Sequence, residues 1–258
     1  MAKIIACYKW VIDEADIRIN SEGSIDFSKA KGKISDYDKN AIEAAMQAAQ
    51  SIGASAVALT FGTAKAKLSL KDALTRGPAE SFWVCSESAE KTDGAATAKV
   101  LAEAVKKIGD YRLIICAEGA SDTYARQVGP RIAALLDLPC ITSVRGFEIQ
   151  GDVITATRKL DNRTEVVKAD LPALISVLPE VNEAPIPGLK AVLDAGKKRS
   201  TEFKLQDIGL TDADVAPRTE VRDFKAYIMN GKNIIISADT NADKVKELVA
   251  NLRKDGVI

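Results

Sequence analysis

Short apolar runs alternate with longer amphipathic segments through the first half of the chain. The apolar runs have the length of buried strands, and we predict strands at 3–8, 56–61, 81–85 and 113–116. The amphipathic segments repeat apolar residues at intervals of three and four, and we predict helices at 37–52, 64–75, 92–108 and 124–136. This alternation predicts an α/β fold with a parallel sheet that carries helices on both faces.

The pattern changes after Pro139. Segments 141–149, 153–160 and 164–169 alternate apolar and polar residues in the manner of strands, with turn residues between them, and 171–178 is another apolar strand. We therefore predict an antiparallel hairpin extension over 141–178.

The last part of the chain is irregular at first and then regular. Three prolines interrupt 179–188, and the sequence is polar to about residue 223. A strand at 233–237 and a helix at 242–252 are predicted to follow. We expect one α/β domain over 1–190 and a C-terminal extension or arm over 194–258.

Charge and hydropathy argue against several partners. Lys and Arg together number 36, as do Asp and Glu, so a nucleic acid or an anionic membrane is not expected as the partner. No apolar stretch approaches the roughly 20 residues that span a bilayer, and the apolar run at 4–7 is too short for a signal peptide. We expect a cytoplasmic protein without direct membrane insertion.

The residue types needed for most catalytic chemistry are missing. The chain has no histidine, and its four cysteines form no Cys-x-x-Cys pair, which argues against a metal site and against His-based acid–base catalysis. No Gly-x-Gly-x-x-Gly follows a predicted strand, and Gly196-Lys197 lacks the remainder of a P-loop. The sequence therefore offers no sign of metal-dependent, His-based or P-loop chemistry.

The loop after the strand at 113–116 carries the strongest candidate chemistry. Ala117 to Thr123 is rich in small residues, which allow a ligand to approach the backbone closely. Ser121, Asp122 and Thr123 are good N-caps for the predicted helix, whose N-terminus would favour a phosphate, and Arg126 would add a positive charge. These residues fit a plain capped loop equally well.

The same segment resembles the nucleotide-binding signature of the electron-transfer flavoprotein β subunit family. The resemblance rests on the small-residue loop, Ser121-Asp122, the run from Gln127 to Pro130, and Leu138-Pro139. Further blocks that match in the right order are 3–12, 37–45, 158–176 and 182–189. The chain is most similar to the Fix-type branch, which is associated with anaerobic carnitine metabolism, at 26–30, 33–35, Tyr124 and 185–187.

The resemblance implies an electron carrier without catalytic residues of its own, together with a fold, partners and cofactors. The sheet would be Rossmann-like, of the adenine-nucleotide-hydrolase-like kind. The chain would be the small subunit of a heterodimer, paired with a larger α subunit that holds most of one redox-active FAD. The small subunit would itself hold AMP or a second FAD, and its redox partner would be an acyl-CoA dehydrogenase or reductase.

The resemblance also assigns residues to these roles. Leu189 would anchor a docking loop at 179–193 for the redox partner, and Tyr37 would lie close to the α subunit's flavin. The nucleotide would be held by Cys7, Tyr8, Lys9, Ser35, Tyr37, Asp38, Phe61, Ala117, Ser121, Asp122, Thr123, Tyr124, Ala125, Arg126, Gln127 and Val128.

Two other interpretations remain open from the sequence. One is an ATP-binding α/β protein of the universal-stress type, although the glycine-rich phosphate loop that it requires late in the sheet is missing. The other is an assembly subunit whose nucleotide site is empty.

Overall fold

A computed structural model describes residues 1–223, 225–227 and 231–258. The chain forms two compact units. The large unit comprises Met1–Arg18 and Asp26–Asp223, and the small unit comprises Ile19–Ile25 and Phe224–Ile258. Residues 194–223, which the sequence placed in the extension, therefore make their contacts within the large unit.

The described residues form the following helices and strands. The helices are α1 (Asp36–Ile52), α2 (Lys67–Thr75), α3 (Gly94–Ile108), α4 (Val128–Leu135), α5 (Leu189–Ala195) and α6 (Asn241–Lys254). The strands are β1 (Lys3–Cys7), β2 (Trp10–Ile12), β3 (Arg18–Ile19), β4 (Ile25–Asp26), β5 (Gly32–Ile34), β6 (Ser55–Gly62), β7 (Glu80–Cys85), β8 (Tyr111–Ala117), β9 (Cys140–Gln150), β10 (Val153–Lys159), β11 (Thr164–Asp170), β12 (Ala173–Val177) and β13 (Arg199–Phe203).

A nine-stranded sheet in the order β11-β10-β9-β12-β8-β1-β6-β7-β13 organises the large unit. The seven strands β9, β12, β8, β1, β6, β7 and β13, in their order across the sheet, pair in parallel. Strand β10 pairs antiparallel with both β9 and β11. The predicted α/β fold with a parallel, helix-flanked sheet and an antiparallel extension is confirmed. The strand order reverses at β1, which lies between β6 and β8, so the loops after Cys7 and Ala117 meet at the switch point where such sheets bind ligands.

The core has two layers because successive strand residues point to opposite faces of the sheet. Ile4 and Ile115 pack on the face covered by α1, whose alanines allow the helix to lie close to the sheet. Ile5 and Ile114 pack on the opposite face, together with apolar residues of α3 and α4. This double cover explains why the central strands read as continuous apolar runs.

The large unit differs from the sequence prediction in several places, including strands β2 and β5, which were not predicted. The helix predicted from 124 begins at Val128, because Tyr124 (φ 46°) and Arg126 (φ 57°) are in left-handed conformations that a helix does not accommodate. A short helix, α5, follows the proline-rich stretch. Strand β13 was missed because its sequence is polar, and it forms by pairing with β7 at the edge of the sheet.

The small unit contains α6, which confirms the helix predicted at 242–252. The Thr240 side chain accepts a hydrogen bond from the Asp243 amide, 3.1 Å, and caps this helix. The strand predicted at 233–237 is wrong, since these residues form no strand and Ile235 is 80% exposed. Within the described residues, none of the helices combines the length and apolar character that crossing a membrane requires.

Candidate functional site

Hydrogen bonds donated by backbone amides join the loops at the switch point to the start of α1. The amide of Lys9 donates to Oδ2 of Asp38, 2.8 Å, and the amide of Ser35 donates to the carbonyl of Lys9, 3.0 Å. The amide of Ser121 donates to Oγ of Ser35, 3.1 Å. The two loops and the helix start therefore form one connected surface.

Ser35 has this linking role because its hydroxyl is not used to cap the helix. It occupies the N-cap position of α1 and is fully buried, yet it makes no side-chain cap hydrogen bond. Its Oγ instead accepts a hydrogen bond from the loop after β8, while its amide donates to Lys9 in the loop after β1.

Asp38 places a buried carboxyl group at the centre of this surface. Burial raises its pKa to about 7, and the charge of Asp122 acts in the same direction. The amides of Lys9 and Ala117 and the charge of Lys9 lower the pKa but do not offset burial. Lys9 also forms an ion pair with Asp122, so one cation faces two carboxyl groups.

The loop after β8 folds around the ring of Tyr124. This ring lies against Gly119, where an added Cβ would approach Cδ2 of Tyr124 to 2.7 Å, and its centroid is 5.1 Å from that of Tyr37. The guanidinium of Arg126 lies over the same ring, 4.8 Å from its centroid, at the distance of a cation–π contact.

The capping role predicted for Ser121, Asp122 and Thr123 is wrong. The helix begins six residues after Asp122, and its N-cap is Gln127, which makes no side-chain cap hydrogen bond. Asp122 instead accepts a hydrogen bond from the amide of Thr123, 2.7 Å, in a local turn. Any phosphate bound here must therefore be held by the loop itself, with Arg126 beside it and not one turn into the helix.

Several of the remaining predicted residues lie at the switch point with buried side chains. Cys7 and Ala117 end neighbouring strands and pack in the core. Oη of Tyr8 shares a hydrogen bond with Oγ of Ser69, 2.9 Å, and burial raises the pKa of Tyr8. These positions offer backbone atoms, not side chains, to a ligand at the loops.

Other predicted residues lie near the loops or away from them. Ala125 and Gln127 are exposed, and Val128 is half-buried at the start of α4. Phe61 lies near the end of β6 and packs with the core layer under α3. Leu189 is the first residue of α5 and is 77% exposed.

Glu118 lies in the predicted loop but was given no role of its own, and Ser143 was not predicted as a site residue. Glu118 accepts hydrogen bonds from Oη of Tyr124, 2.7 Å, and Oγ of Ser143, 3.3 Å, and its carboxylate lies 3.6 Å from Nη1 of Arg126. A glutamate after a strand and a serine within one carry no motif, so only the fold reveals that they meet.

The fold is mixed α/β with a mostly parallel central sheet, and hydrogen-bonded loops meet at the switch point of that sheet. The model of the electron transfer flavoprotein domain matches residues 23–208. The chain belongs to the electron transfer flavoprotein family. Proteins with this domain are flavin-associated electron carriers rather than catalysts, and membership implies pairing with an electron-transfer flavoprotein partner subunit.

Proposed function

We propose that this chain is the small subunit of a heterodimeric electron-transfer flavoprotein that holds AMP or a second FAD at the switch point. The proposal is supported by the loops after β1 and β8, which lie together and are both hydrogen-bonded to Ser35. A redox-active FAD would be shared with the α subunit and would supply the electron-carrying chemistry when bound.

The loop contains a buried polar atom that a nucleotide could satisfy. Oγ of Ser121 is buried and has no hydrogen-bond partner among the described residues. A buried polar group left unpaired costs about 1–3 kcal/mol, so a ligand atom that pairs with it would be favoured. Arg126, whose side chain is 59% exposed, lies close enough to turn toward a phosphate.

The charges of the site favour a nucleotide of low charge over ATP. Segments 8–9, 35–38 and 117–127 contain two cations, Lys9 and Arg126. Each already lies beside a carboxylate, Asp122 and Glu118 respectively. A triphosphate needs more positive charge than these two cations supply, whereas the phosphates of AMP or FAD need less positive charge than a triphosphate does. This argues against the universal-stress type of ATP-binding protein.

The electrons would pass between a donor dehydrogenase and an acyl-CoA dehydrogenase or reductase. The proposed contact for the acceptor is Leu189, which is exposed next to the prolines at 185 and 187. Prolines restrict the unbound chain and so reduce the ordering cost of docking. The Fix-type resemblance favours a reductase for a crotonobetaine-like acyl-CoA and a role in carnitine metabolism.

Co-expression with the candidate α subunit tests the carrier proposal. The purified pair is expected to show a flavin absorbance spectrum that bleaches on anaerobic reduction with dithionite and returns in air. The α subunit expressed alone is the control for flavin bound without this chain. A stable, folded pair with no flavin spectrum would contradict the proposal.

A further inference from the structure

Three residues with left-handed backbone conformations converge on one carboxylate. Tyr124, Arg126 and Ser143 have φ angles of 46°, 57° and 58°. Each contacts Glu118: Tyr124 Oη and Ser143 Oγ donate hydrogen bonds at 2.7 and 3.3 Å, and Nη1 of Arg126 lies 3.6 Å away. The side chain of Glu118 is only 10% exposed.

These backbone conformations need support from their surroundings. A non-glycine residue in the left-handed region costs about 1 kcal/mol or more, and it persists where neighbouring contacts fix it. Two such residues lie in the loop after β8, and the third lies in β9. Glu118 is the side chain that all three share.

Ser143 connects the loop to the rigid sheet. It lies where the pairing of β9 with β12 changes register, between the pairs Ile175–Ile141 and Val177–Val144. Glu118 itself continues the sheet, because its amide donates to the carbonyl of Val177, 3.0 Å. The carboxylate is thus anchored on two strands and reaches Tyr124 from a fixed position.

Tyr124 transmits this anchorage to the loop. Its ring fills the space above Gly119 and packs beside Tyr37, and Arg126 lies over the ring. The amide of Tyr124 also donates to the carbonyl of Ala120, 3.0 Å, which closes the turn that contains Ser121. If the hydroxyl of Tyr124 were released, the turn around Ser121 and Arg126 would lose its hydrogen bond to Glu118 at the end of β8.

We propose that Glu118 is a positioning residue that, through Tyr124, holds the loop 119–126 in the conformation that receives a nucleotide phosphate. The inference rests on the proposed adenine-nucleotide site. Glu118 itself acts on the loop and not on the ligand, so its hydrogen-bonding capacity matters more than its charge.

Three variants of the chain separate these contributions, with AMP and FAD as probes in calorimetric titrations. Tyr124→Phe keeps the ring and removes only the hydroxyl, and Glu118→Ala removes the acceptor. Both are expected to weaken binding of the preferred probe about tenfold. Glu118→Gln keeps an oxygen that accepts from Tyr124 and should bind within about threefold of the wild type, because an ion pair to an exposed arginine contributes little.

Tyr111→Phe, at the opposite end of β8, is the matched control and should bind as the wild type does. Hydrogen–deuterium exchange supplies a readout that general destabilisation does not mimic. In Tyr124→Phe and Glu118→Ala, amides of 119–126 should exchange faster while those of β8 and α1 keep wild-type rates.

The outcomes distinguish this inference from the proposed function. If the wild type binds neither AMP nor FAD, the nucleotide site is misassigned and the inference falls with it. If the wild type binds but Tyr124→Phe and Glu118→Ala bind equally well, only the positioning role is wrong. Equal losses in Glu118→Gln and Glu118→Ala, or faster exchange throughout the sheet, would also overturn that role.

Discussion

The wild-type chain is expected to lose about 4 kcal/mol of stability between pH 4 and pH 8, and the Asp38→Asn variant should not show this loss. Burial raises the pKa of Asp38 from 3.8 to about 7, and each pKa unit corresponds to about 1.4 kcal/mol. The folded chain therefore retains a proton that the unfolded chain releases near pH 4. The free energy of unfolding falls as the pH rises from 4 through 7 and levels off above that.

Denaturant unfolding of the wild type and Asp38→Asn at intervals from pH 4 to pH 8 measures this effect. The difference between their free energies of unfolding should change by several kcal/mol, with the wild type losing stability relative to the variant as the pH rises. A difference that does not vary with pH would show that Asp38 is not held in the buried, weakly acidic state described here.

Asp36, two residues earlier in the same helix, is the matched control with the opposite sign. Partial burial raises its pKa, but hydrogen bonds and charges from Lys33 and Lys39 together outweigh burial and lower it. The wild type should therefore lose stability relative to Asp36→Asn as the pH falls, not as it rises. The exposed position of Asp36 keeps its effect smaller than that of Asp38.

Leu189→Ala is expected to slow electron transfer to the proposed acyl-CoA dehydrogenase-like acceptor while the flavin content of the pair stays unchanged. Leu189 and Ile186 are 77% and 95% exposed, so neither contributes to the core. A leucine that fills a pocket on a partner can contribute about 2 kcal/mol, which corresponds to roughly thirtyfold weaker docking after truncation. Stopped-flow reduction of the acceptor at subsaturating concentration reports this change.

Leu135→Ala is the control for the Leu189 experiment. Leu135 is also exposed, at the end of α4, and its truncation should leave the rate of electron transfer unchanged. Loss of flavin in Leu189→Ala would show that this residue belongs to the subunit interface and that the docking surface lies elsewhere. Equal rates in Leu189→Ala and the wild type would remove Leu189 from the docking surface.

The sheet could be predicted from the sequence because buried parallel strands leave a strong signal. Runs such as 113–116 are apolar throughout since helices cover both faces, and the alternating segments after Pro139 mark the antiparallel strands. Strand β13 gave no such signal because it is a polar edge strand defined by its pairing with β7. The apolar run at 234–236 wrongly indicated a strand, since no strand pairs with it among the described residues.

The place of the loop after β8, at the carboxyl edge of the sheet, could be predicted from the sequence, but its conformation could not. Ser121, Asp122 and Thr123 are typical capping residues, which favoured a helix from 124. The helix starts later because Tyr124 and Arg126 adopt left-handed conformations that are supported by Glu118. That support depends on contacts between residues on different strands, including Ser143, and such tertiary contacts override local propensity.

Identification of the nucleotides released from the purified pair tests the central claim most directly. The co-expressed subunits are isolated without added nucleotide, denatured, and the supernatant is quantified by liquid chromatography and mass spectrometry. The account predicts one FAD for the pair and, in addition, one AMP or one further FAD for this chain. A folded pair that releases a single FAD and no second nucleotide, or that releases ATP, would contradict it.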